Sequence, residues 1–245
     1  MGITPYYQQK GIVIYNCDCR EILPDLPPVD LILTDPPYGI NYQSARRIAW
    51  QRKDKIQGDK NFPLWIFDVM KPRNALFVWL RWDVLPLVPL PKSFIVWDKM
   101  NHSMGDLKHE IGRQWEGCAF YPGPEHKFIK RPADIIRCKK IPAEKLLHPN
   151  EKPVGAMLPL IKAHSSNLIL DPFMGVAPVL LAAKLLGRRA IGIEIEEKYC
   201  EIAARRLSQE VLPFGRPFIS QKGASGEQQK AEFSTRGDKC IPRVG

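Results

Sequence analysis

Val29-Asp30-Leu31-Ile32-Leu33-Thr34-Asp35-Pro36-Pro37-Tyr38-Gly39 is an apolar run that ends in a proline-fixed turn. Val29 to Leu33 reads as a buried strand, and the two prolines that follow cannot continue it, because neither has an N–H to give to a ladder. Upstream, Gly11 to Tyr15 has the same character, with a short helical turn around Cys19 to Leu26 between the two. Downstream, residues 62–70 have helical spacing, Ala75 to Leu80 and Phe94 to Trp97 are strand-like, and Pro153 to Ala163 reads as a helix. Leu168 to Leu170 and Ala190 to Ile193 are buried strands, separated by a helix over Val179 to Leu186 that stops at Gly187. An amphipathic helix over Glu197 to Leu207 closes the series. Short apolar strands alternating with helical stretches specify an α/β sheet.

In an open α/β sheet, ligands bind beyond the carboxyl ends of the strands, where the turn Thr34 to Gly39 falls. Its residues suit one kind of chemistry. An exocyclic amine on an aromatic base is a poor nucleophile because its lone pair is delocalised into the ring. Two acceptors aimed at its N–H bonds draw the nitrogen toward tetrahedral geometry and free that pair. The Asp35 carboxylate and the Pro36 carbonyl are such acceptors, held in place by the fixed φ of Pro36 and Pro37. Tyr38 offers a flat face on which a flipped base can stack. An ordinary Asp-capped proline turn has the same composition, so the surrounding motifs must decide.

The chain has 245 residues, 44% hydrophobic and 25% charged, which is globular usage and leaves room for one sizeable core. Its net charge of +10 is uneven: residues 1–40 carry an excess of −3, residues 41–150 of +9 and residues 151–245 of +4. A basic middle segment suits a polyanion partner, since clustered Lys and Arg neutralise phosphates. The six cysteines, Cys17, Cys19, Cys118, Cys138, Cys200 and Cys240, show neither a CxxC pair nor zinc-ligand spacing, and no metal is expected. They read as reduced thiols of a cytoplasmic protein. The N-terminal MGITPYYQQK lacks the apolar core of a signal peptide, and no apolar run approaches the ~18 residues that span a bilayer, so no membrane partner is expected.

Further motifs accompany the turn. Asn16-Cys17-Asp18-Cys19 precedes it, His148-Pro149-Asn150-Glu151-Lys152-Pro153 follows, and then come Asp171-Pro172-Phe173-Met174-Gly175 and Gly192-Ile193-Glu194. Together with Asp35-Pro36-Pro37-Tyr38 they resemble the amino-group (N6-adenine/N4-cytosine) DNA methyltransferases. The catalytic motif lies ahead of the cofactor motif, which is similar to the permuted, beta-type order of that family. The resemblance implies a Rossmann-like, seven-stranded, mostly parallel methyltransferase sheet with an inserted target-recognition region, and S-adenosylmethionine as cofactor. It places Asp35, Pro36, Pro37 and Tyr38 at the reacting amine. On the cofactor side it places Asp18 near the adenine, Lys152 near the carboxylate, Phe173 and Gly175 against the methionine part, Asp171 and Ala177 in the same cofactor-binding loop, and Glu194 on the ribose hydroxyls.

The implied activity is transfer of a methyl group to the exocyclic N6 of adenine in a specific DNA sequence, as in restriction-modification. Asp at the first motif position is more typical of adenine enzymes of the family, and N4 of cytosine is the alternative. No cysteine follows a proline, which disfavours attack through a thiol on a ring carbon. Two departures stand out. Gly175-Val176-Ala177-Pro178 replaces the usual Gly-x-Gly-Thr, and Glu151 replaces Gln. Ala177 adds a methyl and Pro178 removes an N–H, which keeps open a catalytically impaired DNA-binding relative. An RNA substrate also stays open, since charge does not tell phosphodiesters apart.

DNA is the expected partner, and a cognate restriction endonuclease is a candidate. Expected DNA contacts are Arg46, Arg47, Arg52, Lys53 and Lys55 in a basic loop over 41–60, with Lys108, His109 and Arg113 in a target-recognition region over 97–145. Residues 1–210 form the expected catalytic domain. Residues 211–245, rich in Pro, Gly, Ser, Gln and charge, are expected to be a mobile tail.

Overall fold

The computed structural model of the chain describes residues 3–38, 61–102, 108–109, 111–148 and 150–209. Their strands are β1 (Tyr7–Gln9), β2 (Ile12–Asn16), β3 (Leu31–Thr34), β4 (Ala75–Leu80), β5 (Ser93–Asp98), β6 (Trp115–Pro122), β7 (Ile135–Arg137), β8 (Leu168–Asp171) and β9 (Arg189–Glu194). The helices are α1 (Cys19–Ile22), α2 (Ile66–Val69), α3 (Val154–Lys162), α4 (Pro178–Leu185) and α5 (Glu197–Ser208). Among the described residues the strands make one nine-stranded sheet in the order β1-β2-β9-β8-β3-β4-β6-β5-β7. The sheet exceeds the seven strands expected because β1 and β7, of three residues each, extend its edges. From β2 to β4 neighbours run parallel, while β6 lies antiparallel to both β4 and β5.

The order of strands makes a crevice at one place. From β8 the chain proceeds through α4 to β9 on one side, and from β3 it proceeds to β4 on the other. The connections diverge between β8 and β3, and the ends of diverging parallel strands leave a gap above the sheet. The Thr34 hydroxyl donates to Asp171 Oδ1 at 3.0 Å and ties these two strand ends together.

Both faces of the sheet are covered, so central strands are apolar at every position. In β4, Ala75, Phe77 and Trp79 join the core under α3, α4 and α5, while Leu76, Val78 and Leu80 join the core under α1 and α2. Full burial of each such large side chain contributes about 1.5–3 kcal/mol.

Two readings need correction. Strand β6 lies inside the stretch 97–145 assigned to target recognition, yet Gly117, Cys118, Ala119 and Phe120 are buried in the sheet. Gly117 concealed it: a Cβ there would meet the Phe94 ring at 2.0 Å, so the strand must carry glycine where that aromatic lies across it. The edge strand β7 falls in the same stretch, which leaves 99–114 as the segment joining β5 to β6. The helix read over 62–70 is a single turn, α2. The basic loop 41–60 and the tail 211–245 lie outside the described residues.

One core group links the fold to pH. His164 is fully buried among the rings of Phe77, Phe128 and His126, with Nδ1 3.0 Å from the Leu160 carbonyl and no partner for Nε2 among the described residues. Burial, aided by His126, lowers its pKa from the ordinary 6.5. The unfolded chain therefore takes up a proton before the folded one does. This contribution to stability is complete above about pH 6.5 and is lost as pH falls through the folded value. Thermal unfolding between pH 7.5 and 5 should show a shallower acid decline in His164→Phe than in the natural chain; equal slopes refute it.

Candidate active site

A cavity of about 710 Å³ opens over the crevice between β3 and β8. Strand β3 delivers Asp35, Pro36, Pro37 and Tyr38 to one wall, and the turn after β8 delivers Phe173 and Gly175 to the facing wall. Glu194, at the end of β9, and Asp18, before α1, complete the set of expected residues that line it. All eight of the residues just named were expected there on chemical grounds alone or by resemblance, and the sheet brings them together from positions 18 to 194.

Each lining group has a defined setting. The Asp18 carboxylate caps α1 by accepting from the Arg20 N–H at 3.0 Å and also accepts from the Arg20 guanidinium, which together hold it below the usual carboxylate range. Gly175 has φ +50, a left-handed value suited to glycine, and its N–H donates to Glu194 Oε2 at 3.0 Å. Glu194 Oε1 accepts from the Glu196 N–H at 2.8 Å. Burial nevertheless pushes the Glu194 carboxyl up to about 7. Trp65 and Phe173 set two aromatic rings in the wall, with centroids 6.2 Å apart. This is an apolar, concave site with a few convergent polar groups, within the usual ~300–1,000 Å³ of small-molecule sites.

Three residues expected at the cofactor do not line the cavity. Asp171 is buried beneath the cavity, where it accepts from Thr34 and from the Phe173 N–H at 3.2 Å; burial pushes its carboxyl up to about 8. Ala177 is fully buried in the core under the helices, at φ +65 just before α4, and does not line the cavity. Its neighbour Pro178 is the first residue of α4, a position where the missing N–H is no loss. The departure at 176–178 thus points into the protein and not at the cavity.

Lys152 is the third. Its ammonium, 2% exposed, donates to Asp35 Oδ2 at 2.5 Å and to the Tyr38 hydroxyl at 2.7 Å, and lies 3.1 Å from Glu116 Oε2. Two carboxylates and the Tyr38 hydroxyl face its three N–H bonds. Against its burial, Asp35 and Glu116 raise its pKa, so the ammonium stays charged. Against burial likewise, Lys152 and Lys99 hold Glu116 down at about 2. For Asp35 burial wins over the neighbouring ammonium and raises the carboxyl. Tyr38 donates to Asp35 Oδ1 at 2.7 Å, and its ring is largely buried under this network.

Sequence reasoning missed Glu116, which lies on the unrecognised strand β6, and Lys99, whose Nζ is 2.5 Å from Glu116 Oε1. Of the expected DNA contacts, Lys108, His109 and Arg113 are exposed in the segment between β5 and β6. Arg46, Arg47, Arg52, Lys53 and Lys55 lie outside the described residues. No group of three or more metal-ligating side chains occurs among the described residues, and none of their helices is long and apolar enough to cross a membrane.

Known proteins resemble the chain in sequence and in fold. Residues 96–205 match the DNA methylase family model for N6 and N4 enzymes. The type II methyltransferase M.ScaI of Streptomyces caespitosus is 26% identical, over 84% of this chain and 84% of its own length. The solved complex of M1.HpyAVI with S-adenosylmethionine is 26% identical, covers 80% of this chain and 99% of that one, and superposes with a TM-score of 0.59. The cytosine-N4-specific PvuII DNA methyltransferase shares the fold at 14% identity, with a TM-score of 0.64 over 86% of this chain and 91% of that one. In sequence and in fold, the chain is similar to the amino-group DNA methyltransferases.

Proposed function

We propose that the chain transfers a methyl group from S-adenosylmethionine to N6 of adenine in DNA, in the permuted motif order of the beta-type enzymes. The observation that carries the reading is the placement of Asp35 and Pro36 on the same cavity as Glu194, Gly175 and Phe173. The cavity fits the cofactor in kind. A buried carboxylate suits ribose hydroxyls, the Trp65 and Phe173 rings suit the adenine, and a glycine leaves the backbone open to close approach. When bound, the cofactor supplies an electrophilic methyl on a sulfonium. Asp35 and the Pro36 carbonyl accept from the two N–H bonds of the target amine and orient its lone pair. Asp35, as the nearest carboxylate, takes the proton that the methylated nitrogen gives up. Tyr38 lines the cavity beside Asp35 and flanks the base with its hydroxyl held in the network. Adenine is preferred because Asp stands at the first motif position, a tendency of the family. The basic residues 46–55 and the exposed Lys108, His109 and Arg113 supply contacts to DNA.

Incubation of the chain with unmethylated genomic DNA and S-adenosylmethionine, followed by mass spectrometry of the nucleosides, tests this. N6-methyladenine is the expected product. N4-methylcytosine would redirect the reading to cytosine, and an unchanged nucleoside profile would remove it.

Glu194 adds a pH signature. A carboxylate that accepts from two hydroxyls must be ionised, and burial places this one at about 7 in the free protein. Binding favours the charged form, so affinity rises with pH through about 7 and weakens below it by up to about tenfold per pH unit. Calorimetry with the cofactor from pH 5.5 to 8.5 should show this slope, and Glu194→Gln should bind more weakly without it. A pH-independent affinity in the natural chain would detach Glu194 from the ribose.

A further inference from the structure

The pairing of Lys152 leaves one acid unexplained. Glu116 is the second residue of β6, a strand otherwise built of Trp, Gly, Cys, Ala, Phe, Tyr and Pro, and a largely buried acidic side chain is costly there unless it does something for its neighbours. Its two oxygens face different partners. Oε1 takes Lys99 at 2.5 Å, and Oε2 lies 3.1 Å from Lys152 Nζ and 3.4 Å from the Tyr38 hydroxyl.

That hydroxyl has one hydrogen and two acceptors within reach, Asp35 Oδ1 at 2.7 Å and Glu116 Oε2 at 3.4 Å. With no substrate the hydrogen lies on Asp35. A target amine that claims Asp35 Oδ1 displaces it, and without a second acceptor a buried hydroxyl would lose its bond. Rotation of the hydrogen toward Glu116 removes that loss. Meanwhile Lys152 keeps Asp35 Oδ2, so the carboxylate cannot swing away as Oδ1 changes partner.

We propose that Glu116 is a positioning residue of the transfer step: it holds the Lys152 ammonium on Asp35 and receives the Tyr38 hydroxyl when the target amine takes Asp35 Oδ1. The proposal rests on Asp35 as the acceptor of that amine. Glu116 touches neither substrate nor cofactor in this arrangement and acts through its two neighbours. The groups that face Lys152 are Asp35 and Tyr38 after β3, Glu116 and the Cys118 thiol on β6, and the ring of Trp79 on β4, 5.7 Å from Nζ; Lys99 stands behind Glu116.

Glu116→Gln keeps the shape and tests the charge. Its one oxygen can face Lys99 or Lys152, and its amide nitrogen then meets the other ammonium, donor against donor. Single-turnover methyl transfer to an unmethylated duplex is expected to fall at least about tenfold, with cofactor affinity by calorimetry within about twofold of the natural chain. The alkaline limb of rate against pH is expected to move down, because burial then opposes a Lys152 charge supported by Asp35 alone. In a Tyr38→Phe background the same substitution is expected to cost less, since no hydroxyl remains to be received. Natural rate and an unmoved limb, or an equal loss in both backgrounds, would overturn the proposal. A natural chain that transfers no methyl group would instead overturn the transferase reading. In that case the titration of Lys152, followed by 13Cε NMR on the free protein, still decides the role of Glu116: a lower midpoint in Glu116→Gln supports it, and an unchanged one refutes it.

Discussion

Asp35→Ala is expected to lower single-turnover methyl transfer by a factor of about 10²–10³, the usual loss when one preorganised polar partner of a reacting group is removed. Cofactor affinity should stay near that of the natural chain, because the residues expected to hold the cofactor lie on the walls made by β8, β9 and the segment before α1. The variant should fold, since Lys152 keeps Glu116 at 3.1 Å and the Tyr38 hydroxyl at 2.7 Å. Asp35→Asn gives a sharper version of the test. An amide retains one oxygen, and the ammonium at 2.5 Å claims it. The amide nitrogen is then turned toward the position of Oδ1, where it opposes the N–H of the target amine, so Asn should be about as inactive as Ala while being the more stable of the two. Transfer near the natural rate in either variant would remove Asp35 from the chemistry.

The parts of the fold that were legible in the sequence are those whose pattern is uniform. Leu31 to Thr34, Ala75 to Leu80 and Ala190 to Ile193 are strands covered on both faces, and continuous apolar runs bounded by Pro, Asn or charge announce them. The helix over Val154–Lys162 announced itself by its apolar stripe, and α4 by the Gly187 that ends it at φ +64. Strand β6 was not legible because its packing with Phe94 demands a glycine and its place in the network demands a glutamate, and both lower the strand signal. Antiparallel insertion of β6 between β4 and β5 is a long-range pairing that no local pattern encodes.

The site divides in the same way. Asp35, Asp18, Gly175 and Glu194 follow strand ends or precede helices, so once the strands are placed their positions at one rim of the sheet follow from topology. That Ala177 and Lys152 do not line the cavity was not legible, because spacing along the chain does not say into which layer a side chain turns. Ala177 precedes a helix whose first turn lies against the core, and its methyl goes with it. For Lys152 the determinant is 36 residues away in sequence on β6, where Glu116 offers the second negative charge that makes burial of an ammonium tolerable. A lone glutamate within a run of small and aromatic residues is the signal that could have located it.

Lys152→Met measures what that burial holds in place. Methionine fills a similar unbranched volume, so the main change is electrical: Asp35 and Glu116 lose the cation between them. Removing one partner of a buried ion pair costs about 3–5 kcal/mol, or roughly 6–20 °C in thermal midpoint for a chain of this size. The loss should depend on pH in a stated sense. Without Lys152, burial and the Glu116 charge both raise the Asp35 pKa above its unfolded value, with nothing to oppose them but the Tyr38 hydroxyl. The folded variant then binds a proton more tightly than the unfolded chain, and that contribution is complete at low pH and is lost as pH rises through the raised value. The gap in midpoint between the variant and the natural chain should therefore narrow as pH falls and widen as it rises. Adding Glu116→Gln to Lys152→Met removes one of the stranded carboxylates and should recover part of the loss. Cofactor affinity separates this account from the one that sequence resemblance implied. If Lys152 met the cofactor carboxylate, its removal would weaken binding by the worth of a charged hydrogen bond, about 1.5–3 kcal/mol or tenfold and more. The ammonium is instead engaged by Asp35, Tyr38 and Glu116, so calorimetry on Lys152→Met should return an affinity within about threefold of the natural chain, a difference of less than about 1 kcal/mol. A tenfold weakening, with no pH-dependent gap in stability, would place the ammonium at the cofactor after all.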